Sequence, residues 1–262
     1  MPLTAPPPAV LHAPTGWRTV ECISDLHLQA SEPATVAAWQ HYMATTTADA
    51  VFMLGDLFEV WVGDDALDTP PGAPPSFAAT CAATCRATAQ RCALYFMHGN
   101  RDFLAGSRFA AQCQLTLLAD PTVLVFGGQR WLLSHGDALC VDDTAYQQFR
   151  AMVRQPAWQS AFLTRPLAER EALARGMRDS SEQHKRATTV YADVDTPAAL
   201  QWLQAANAPT LVHGHTHRPG QHTLDGAGHQ RVVLSDWDLA ATPPRAEVLR
   251  LDAQGLHRVP LA

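Results

Sequence analysis

The chain has 262 residues, 47% of them hydrophobic, and a formal net charge of −6, which suits one large domain or a domain carrying an insertion. No run of about 18 apolar residues occurs, so no membrane-spanning helix is predicted, and the acidic balance argues against a nucleic-acid partner. Six cysteines without zinc-ribbon spacing predict buried free thiols in a reducing cytoplasm rather than a disulfide framework.

Residues 1–16 are proline-rich, lack the cationic and apolar regions of a secretory signal, and read as a disordered extension ahead of a domain over 17–262. A strand over 18–23 leads to a helix over about 32–46, with Ser31 as N-cap and Pro33 in the first turn. A strand over 50–54 follows, then a Gly/Pro-punctuated loop through Pro75 and a helix over about 76–90. A strand over 93–97 precedes a helix over about 106–114. This alternation implies a largely parallel sheet covered by helices. Residues 122–126 and 130–134, joined by Gly127-Gly128, read as a hairpin. Leu211-Val212 and the segments 221–224, 231–234, 247–251 and 256–259 read as further strands. The fold class is therefore α/β, a two-sheet sandwich.

One segment breaks the rhythm. Residues 144–189 are helical in pattern, with Tyr146, Phe149, Met152 and Val153 at helical spacing, and Pro156 and Pro166 divide them into short helices. Residues 145–190 hold eight basic and four acidic side chains, a balance of about +4 against about −10 for the rest. This is read as an inserted helical lid whose apolar side can line a groove and whose basic side can meet an anionic surface.

The chemistry lies at the strand ends. Asp25-Leu26-His27, Gly55-Asp56, Gly99-Asn100-Arg101-Asp102, His135-Gly136-Asp137 and Gly214-His215-Thr216-His217 each follow an apolar run, and the carboxyl ends of strands in open α/β sheets are where ligands bind. Alone, each Asp reads as a turn residue and each His as a packed one; five such segments in order read as a set. Asp25, His27, Asp56, Asn100, His135, His215 and His217 can supply seven oxygen and nitrogen ligands to two divalent cations. Mixed carboxylate and imidazole donors favour Mn²⁺, Fe²⁺ or Zn²⁺ over Ca²⁺. Two cations against Asp25 and Asp56 leave a charge of about +2, which favours a phosphate anion. His213 reads as structural.

These motifs, in order over residues 20 to about 220, resemble the calcineurin-like metallophosphoesterase family. With Leu57-Phe58-Glu59, Gly63-Asp64-Asp65, Arg101-Asp102-Phe103, Leu139-Cys140 and Arg218-Pro219 they look most like the branch that acts as a pyrophosphatase on UDP-2,3-diacylglucosamine in lipid A biosynthesis; Arg101 is the discriminating position, since many relatives carry His there. The resemblance implies two Mn²⁺, one held by Asp25, His27, Asp56 and His217, the other by Asp56, Asn100, His135 and His215. It implies that Arg101 contacts phosphate oxygens, that His215 helps stabilise developing charge, that Asp143 contacts the glucosamine, and that Asp102 orients its neighbours. The lid departs from the family pattern; one register places Ser181 and Lys185, the only lysine, at substrate-contacting positions. The expected location is the cytoplasmic face of the bacterial inner membrane, held peripherally by anionic lipid. A phosphodiesterase acting on soluble nucleotides and a binding module without catalysis are the other readings; the second sits poorly with a complete ligand set.

Overall fold

The computed structural model describes residues 5–187 and 193–261, the last ten residues of the first stretch as backbone alone. Two six-stranded sheets stack face to face between helical layers. One sheet contains β2 (Val20–Ile23), β3 (Ala50–Leu54), β4 (Ala93–Met97), β5 (Thr116–Leu118), β11 (Glu247–Asp252) and β12 (Gly255–Pro260), in the order β12-β11-β2-β3-β4-β5. The other contains β1 (Ala9–His12), β6 (Thr122–Phe126), β7 (Gln129–Leu133), β8 (Thr210–His213), β9 (Gly220–Thr223) and β10 (Gln230–Val233), in the order β1-β6-β7-β8-β10-β9.

Alternation along the strands sorts side chains into layers. Cys22, Ala50, Phe52 and Leu54 face Leu124, Leu133, Val212 and Val232 across the space between the sheets. Ile23, Val51 and Met53 point the other way, onto α1 (Pro33–Thr45), α2 (Phe77–Thr88) and α3 (Ser107–Cys113). On the outer face of the second sheet, Val123, Leu132 and Leu211 pack against Trp202 and Leu203 of α7 (Thr196–Ala206). All six cysteines are free and buried.

The expectation of disorder over residues 1–16 is corrected for Ala9–His12, which pairs in parallel with Thr122–Val125 as an edge strand. Parallel backbone pairing holds it together with Leu11, which packs against the core between the sheets; Ala9, Val10 and His12 are exposed, so no apolar alternation advertises it. The N-cap of α1 is Glu32 rather than Ser31, without a side-chain capping bond; Ser76 does cap α2, accepting from Ala79 N–H.

The 144–189 segment folds as α4 (Thr144–Val153), α5 (Pro156–Leu163) and α6 (Leu167–Ala187), with Pro156 opening α5 and Pro166 just before α6. At 21 residues α6 is not a short helix. Phe162 is buried in the main core beside Trp158, onto which it stacks at 4.8 Å. Met152, Leu163 and Met177 are 46%, 42% and 42% exposed.

Candidate metal centre

β2, β3 and β4 run parallel and adjacent in one sheet, as do β7 and β8 in the other, so the loops leaving their carboxyl ends meet at one rim of the sandwich. Backbone bonds stitch those loops together: Asp25 N–H donates to Gly55 O (3.1 Å), His27 N–H to Asp56 O (3.0 Å) and Gly214 N–H to His135 O (3.0 Å). Gly99 and Gly214 permit the close approach. A Cβ at Gly99 would overlap Asp56, and one at Gly214 would overlap Ser24 and Asp25.

Seven non-glycine residues among those described have positive φ. Gln114 and Asn207 sit just past the ends of α3 and α7, where left-handed residues are usual. The other five are Asp25 (56°), His27 (49°), Asp56 (51°), His215 (67°) and His217 (52°). Such conformations cost about 1–3 kcal/mol each and persist only where the surroundings impose them, typically at functional sites.

The side chains form two overlapping clusters. In the first, Asp25, His27 and His217 converge, with the two Nε2 atoms facing at 3.3 Å and His217 Nε2 3.4 Å from Asp25 Oδ1. In the second, Asp25, Asp56 and His135 converge, with His135 Nε2 3.7 Å from Asp56 Oδ1. Asn100 Oδ1 lies 3.1 Å from His135 Nε2 and 2.9 Å from His215 Nδ1, which joins the remaining two residues to the group. All seven predicted ligands thus meet. Asp25 is common to both three-residue clusters, whereas the resemblance gives the shared position to Asp56.

The electrostatics suit cations. Asp25 and Asp56 are buried, and no arginine forms an ion pair with either among the described residues. Burial opposes charge on Asp25, yet the hydrogen bond to His217 and the histidines around it hold its carboxyl well below the usual range. Burial likewise opposes charge on His135, but Asp56, Asp25 and Asp137 outweigh it and raise the imidazole to about 9. Burial and the neighbouring His135 push His215 down to about 4, leaving a neutral donor. Clustered carboxylates that must draw protons onto an imidazole, beside facing Nε2 atoms, fit a pair of divalent cations.

Around the cluster, carboxylates hold the ligands in place. Glu59 lies 2.8 Å from His27 Nδ1, and Asp236, gripped by Arg245, lies 3.8 Å from His217 Nδ1. A carboxylate behind a ligating imidazole fixes its tautomer and raises its basicity. Asp102 accepts from Gly99 N–H (2.8 Å) and Leu57 N–H (2.7 Å), which is an orienting role; burial and Asp56 raise its carboxyl to about 7. The Arg101 backbone N–H donates to Asp56 Oδ1 (2.8 Å), and its guanidinium lies 3.7 Å from Glu59.

The helical layer reaches the cluster through α4. Tyr146 lies over the His215 ring at 6.0 Å and donates its hydroxyl to Asp137. Arg150 Nε donates to the same carboxylate at 2.8 Å. The sequence places Glu59 in a family motif and Tyr146, Arg150 and Arg154 in the helical insertion, but gives none of them, nor Asp236, a role at the metal centre. The spacing of Tyr146, Arg150 and Arg154 by four along one helix was a signal available for three of them. Asp143, expected at the sugar, is exposed and caps α4, accepting from Tyr146 N–H at 3.0 Å. Ser181 and Lys185 lie outside the residues whose side chains are described. His213 is buried, with Nδ1 2.9 Å from Gly214 O, as a structural residue.

This chain belongs to the calcineurin-like phosphoesterase family, whose signature matches residues 19–219. Within that family it is 47% identical over 251 residues to the UDP-2,3-diacylglucosamine hydrolase of Chromobacterium violaceum, covering 92% of this chain and 98% of that one. It is 44% identical over 240 residues to the hydrolase of that name from Bordetella pertussis, covering 89% and 92%. A third, from Aromatoleum aromaticum, is 44% identical over 221 residues, covering 82% and 87%.

Proposed function

We propose that this protein hydrolyses the diphosphate bond of UDP-2,3-diacylglucosamine, releasing UMP and 2,3-diacylglucosamine 1-phosphate for lipid A biosynthesis. The observation that carries the reading is the convergence of Asp25, His27, Asp56, Asn100, His135, His215 and His217 at one rim, in a chain 47% identical over 92% of its length to a hydrolase named for that substrate. Asp25, His27, Asp56 and His217 would hold one Mn²⁺, and Asp56, Asn100, His135 and His215 the other. Two such cations supply Lewis acidity and make water a stronger nucleophile near neutral pH.

The chain's own groups do the rest. The Arg101 guanidinium, a rigid fork of donors, pairs with oxygens of the diphosphate. Asn100 and His215 present polar atoms to the same phosphate, where charge builds during displacement. Glu59 and Asp102 hold Arg101, His27 and the Gly99 loop in place. Asp143, exposed at the start of α4, would contact the sugar; the assignment of Ser181 and Lys185 to the substrate rests on the family resemblance alone. Exposed Met152, Leu163 and Met177 offer apolar surface on the helical layer that the acyl chains need. No helix among the described residues is long and apolar enough to cross a membrane; peripheral attachment to anionic lipid on the cytoplasmic face of the inner membrane would draw on the exposed Arg165 and Arg175, since Arg150, Arg154 and Arg170 turn inward onto Asp137, Gly99 and Asp65.

The test is UMP release from purified UDP-2,3-diacylglucosamine with and without Mn²⁺. Mn²⁺-dependent release that far exceeds release from a soluble UDP-sugar supports the proposal. Equal rates on both substrates would shift the assignment to soluble nucleotides.

A further inference from the structure

Arg154 ends α4, at the junction with α5, and its side chain is one of the few that link the helical layer to the metal-centre loops. Its Nη2 donates to Gly99 O at 2.8 Å and lies 3.8 Å from Asp137 Oδ2. Its guanidinium also sits over the Phe103 ring at 5.2 Å. One planar cation thus touches two strand-end motifs and the segment just after one of them.

The Gly99 carbonyl is the informative contact. It belongs to the peptide plane whose N–H is that of Asn100, so its direction governs where the Asn100 side chain leaves the backbone. The other side of Gly99 is already fixed, since its N–H donates to Asp102 Oδ1 at 2.8 Å. A Cβ at Gly99 would overlap Asp56, so the residue is pressed against the cluster. Asp102 thus holds the peptide before Gly99 and Arg154 the peptide after it, which restrains the backbone on both sides of that residue. Asn100 Oδ1 then reaches both His135 and His215.

The contact is unlike a surface ion pair. Gly99 is buried, the Arg154 side chain is 23% exposed, and Asp137 beside it is fully buried and already engaged by Arg150 and Tyr146. Hydrogen bonds from a charged donor to a buried carbonyl are stronger than neutral ones and costly to lose.

We infer that Arg154 is a positioning residue that ties the end of α4 to Asn100, so that the placement of the helical layer sets the geometry of the second cation site. The inference rests on the reading of Asn100 as a ligand. It makes the helical layer part of the centre rather than a loose cover, and α4 in its bound position a condition for a competent site.

The test is a calorimetric titration of the purified, metal-stripped full chain with Mn²⁺, paired with a melting curve. Arg154→Met keeps length and loses the donors. Wild type should take two equivalents, and the variant should bind one of them at least about 10-fold more weakly, in line with other outer contacts to metal ligands, while the other equivalent is unchanged. Arg154→Lys, which reaches Gly99 with a single donor, should recover part of that loss. Unchanged affinity for both equivalents, or equal weakening of both, overturns the role. If Arg154→Met does not fold, Arg154→Lys decides on the same criterion, a loss confined to one equivalent. A wild type that takes fewer than two equivalents overturns the reading of the metal site itself.

Discussion

The carboxylate of Glu59 bridges two groups of different kinds: one oxygen lies 2.8 Å from His27 Nδ1, the other 3.7 Å from the Arg101 guanidinium. A proposed cation ligand and a proposed phosphate contact therefore share one anchor. Glu59→Gln keeps the volume and removes the charge. Mn²⁺ affinity should fall about 10–100-fold at one equivalent, with KM for the nucleotide substrate rising as Arg101 loses its partner. Calorimetry and steady-state kinetics on the same variant check both parts, and wild-type values for both would remove Glu59 from the site.

Arg101 separates phosphate contact from coordination. Arg101→Ala leaves the seven ligands in place, so metal content should stay at the wild-type value. Turnover should fall about 10²–10³-fold, the usual cost of losing one charge-stabilising donor. Elemental analysis and kinetics decide it; loss of metal instead would mean that the Arg101 segment holds Asp56 through more than its backbone N–H.

Proton release offers a test through His135. Burial works against its charge, but Asp56, Asp25 and Asp137 raise it from 6.5 to about 9. A group raised on folding adds stability that is complete below about 6.5 and lost as pH climbs through about 9. That contribution to the melting temperature of metal-free protein should thus decline between those values. A ligand must shed its proton to coordinate, so Mn²⁺ binding at pH 7 should release more protons than at pH 9, with His135 and the likewise raised His27 as their source. Titration in buffers of different ionisation enthalpy measures this, and identical release at both pH values would contradict it.

Two residues of the helical layer separate stability from substrate reading. Phe162 is buried in the main core, so Phe162→Ala should cost about 3–5 kcal/mol of stability. Met152 is 46% exposed, so Met152→Ala should leave the melting curve nearly unmoved and raise KM for the diacylated substrate alone. Equal effects on a small soluble phosphodiester would mean that Met152 does not meet the acyl chains.

The strands that build the rim are legible because each is an apolar run closed by Asp, Asn or His, and the hairpin because Gly127-Gly128 separates two such runs. β1 is hidden because an edge strand flanked by prolines pairs through its backbone with β6 and sends only Leu11 toward the core, too little to show a period. Three-residue β5 is too short to show a period. The seven ligand candidates are visible because they sit next to the strands that position them. Glu59, Asp236 and Arg154 are not singled out, because what matters about each is the residue it meets across the fold: His27, His217 and Gly99 lie 32, 19 and 55 positions away. Local spacing carries no trace of such pairings, and charged residues on loops and helix ends read as solvated by default.

Seven side chains from five strand ends converge on what is proposed as one two-cation centre with a shared carboxylate. Mn²⁺ per chain in wild type and in Asp56→Ala, measured by elemental analysis after loading and desalting, tests it most directly. Wild type should hold two ions, and Asp56→Ala should lose both together. Two ions retained in the variant would contradict the shared role of Asp56 and pass it to Asp25, and fewer than two in wild type would contradict the centre itself.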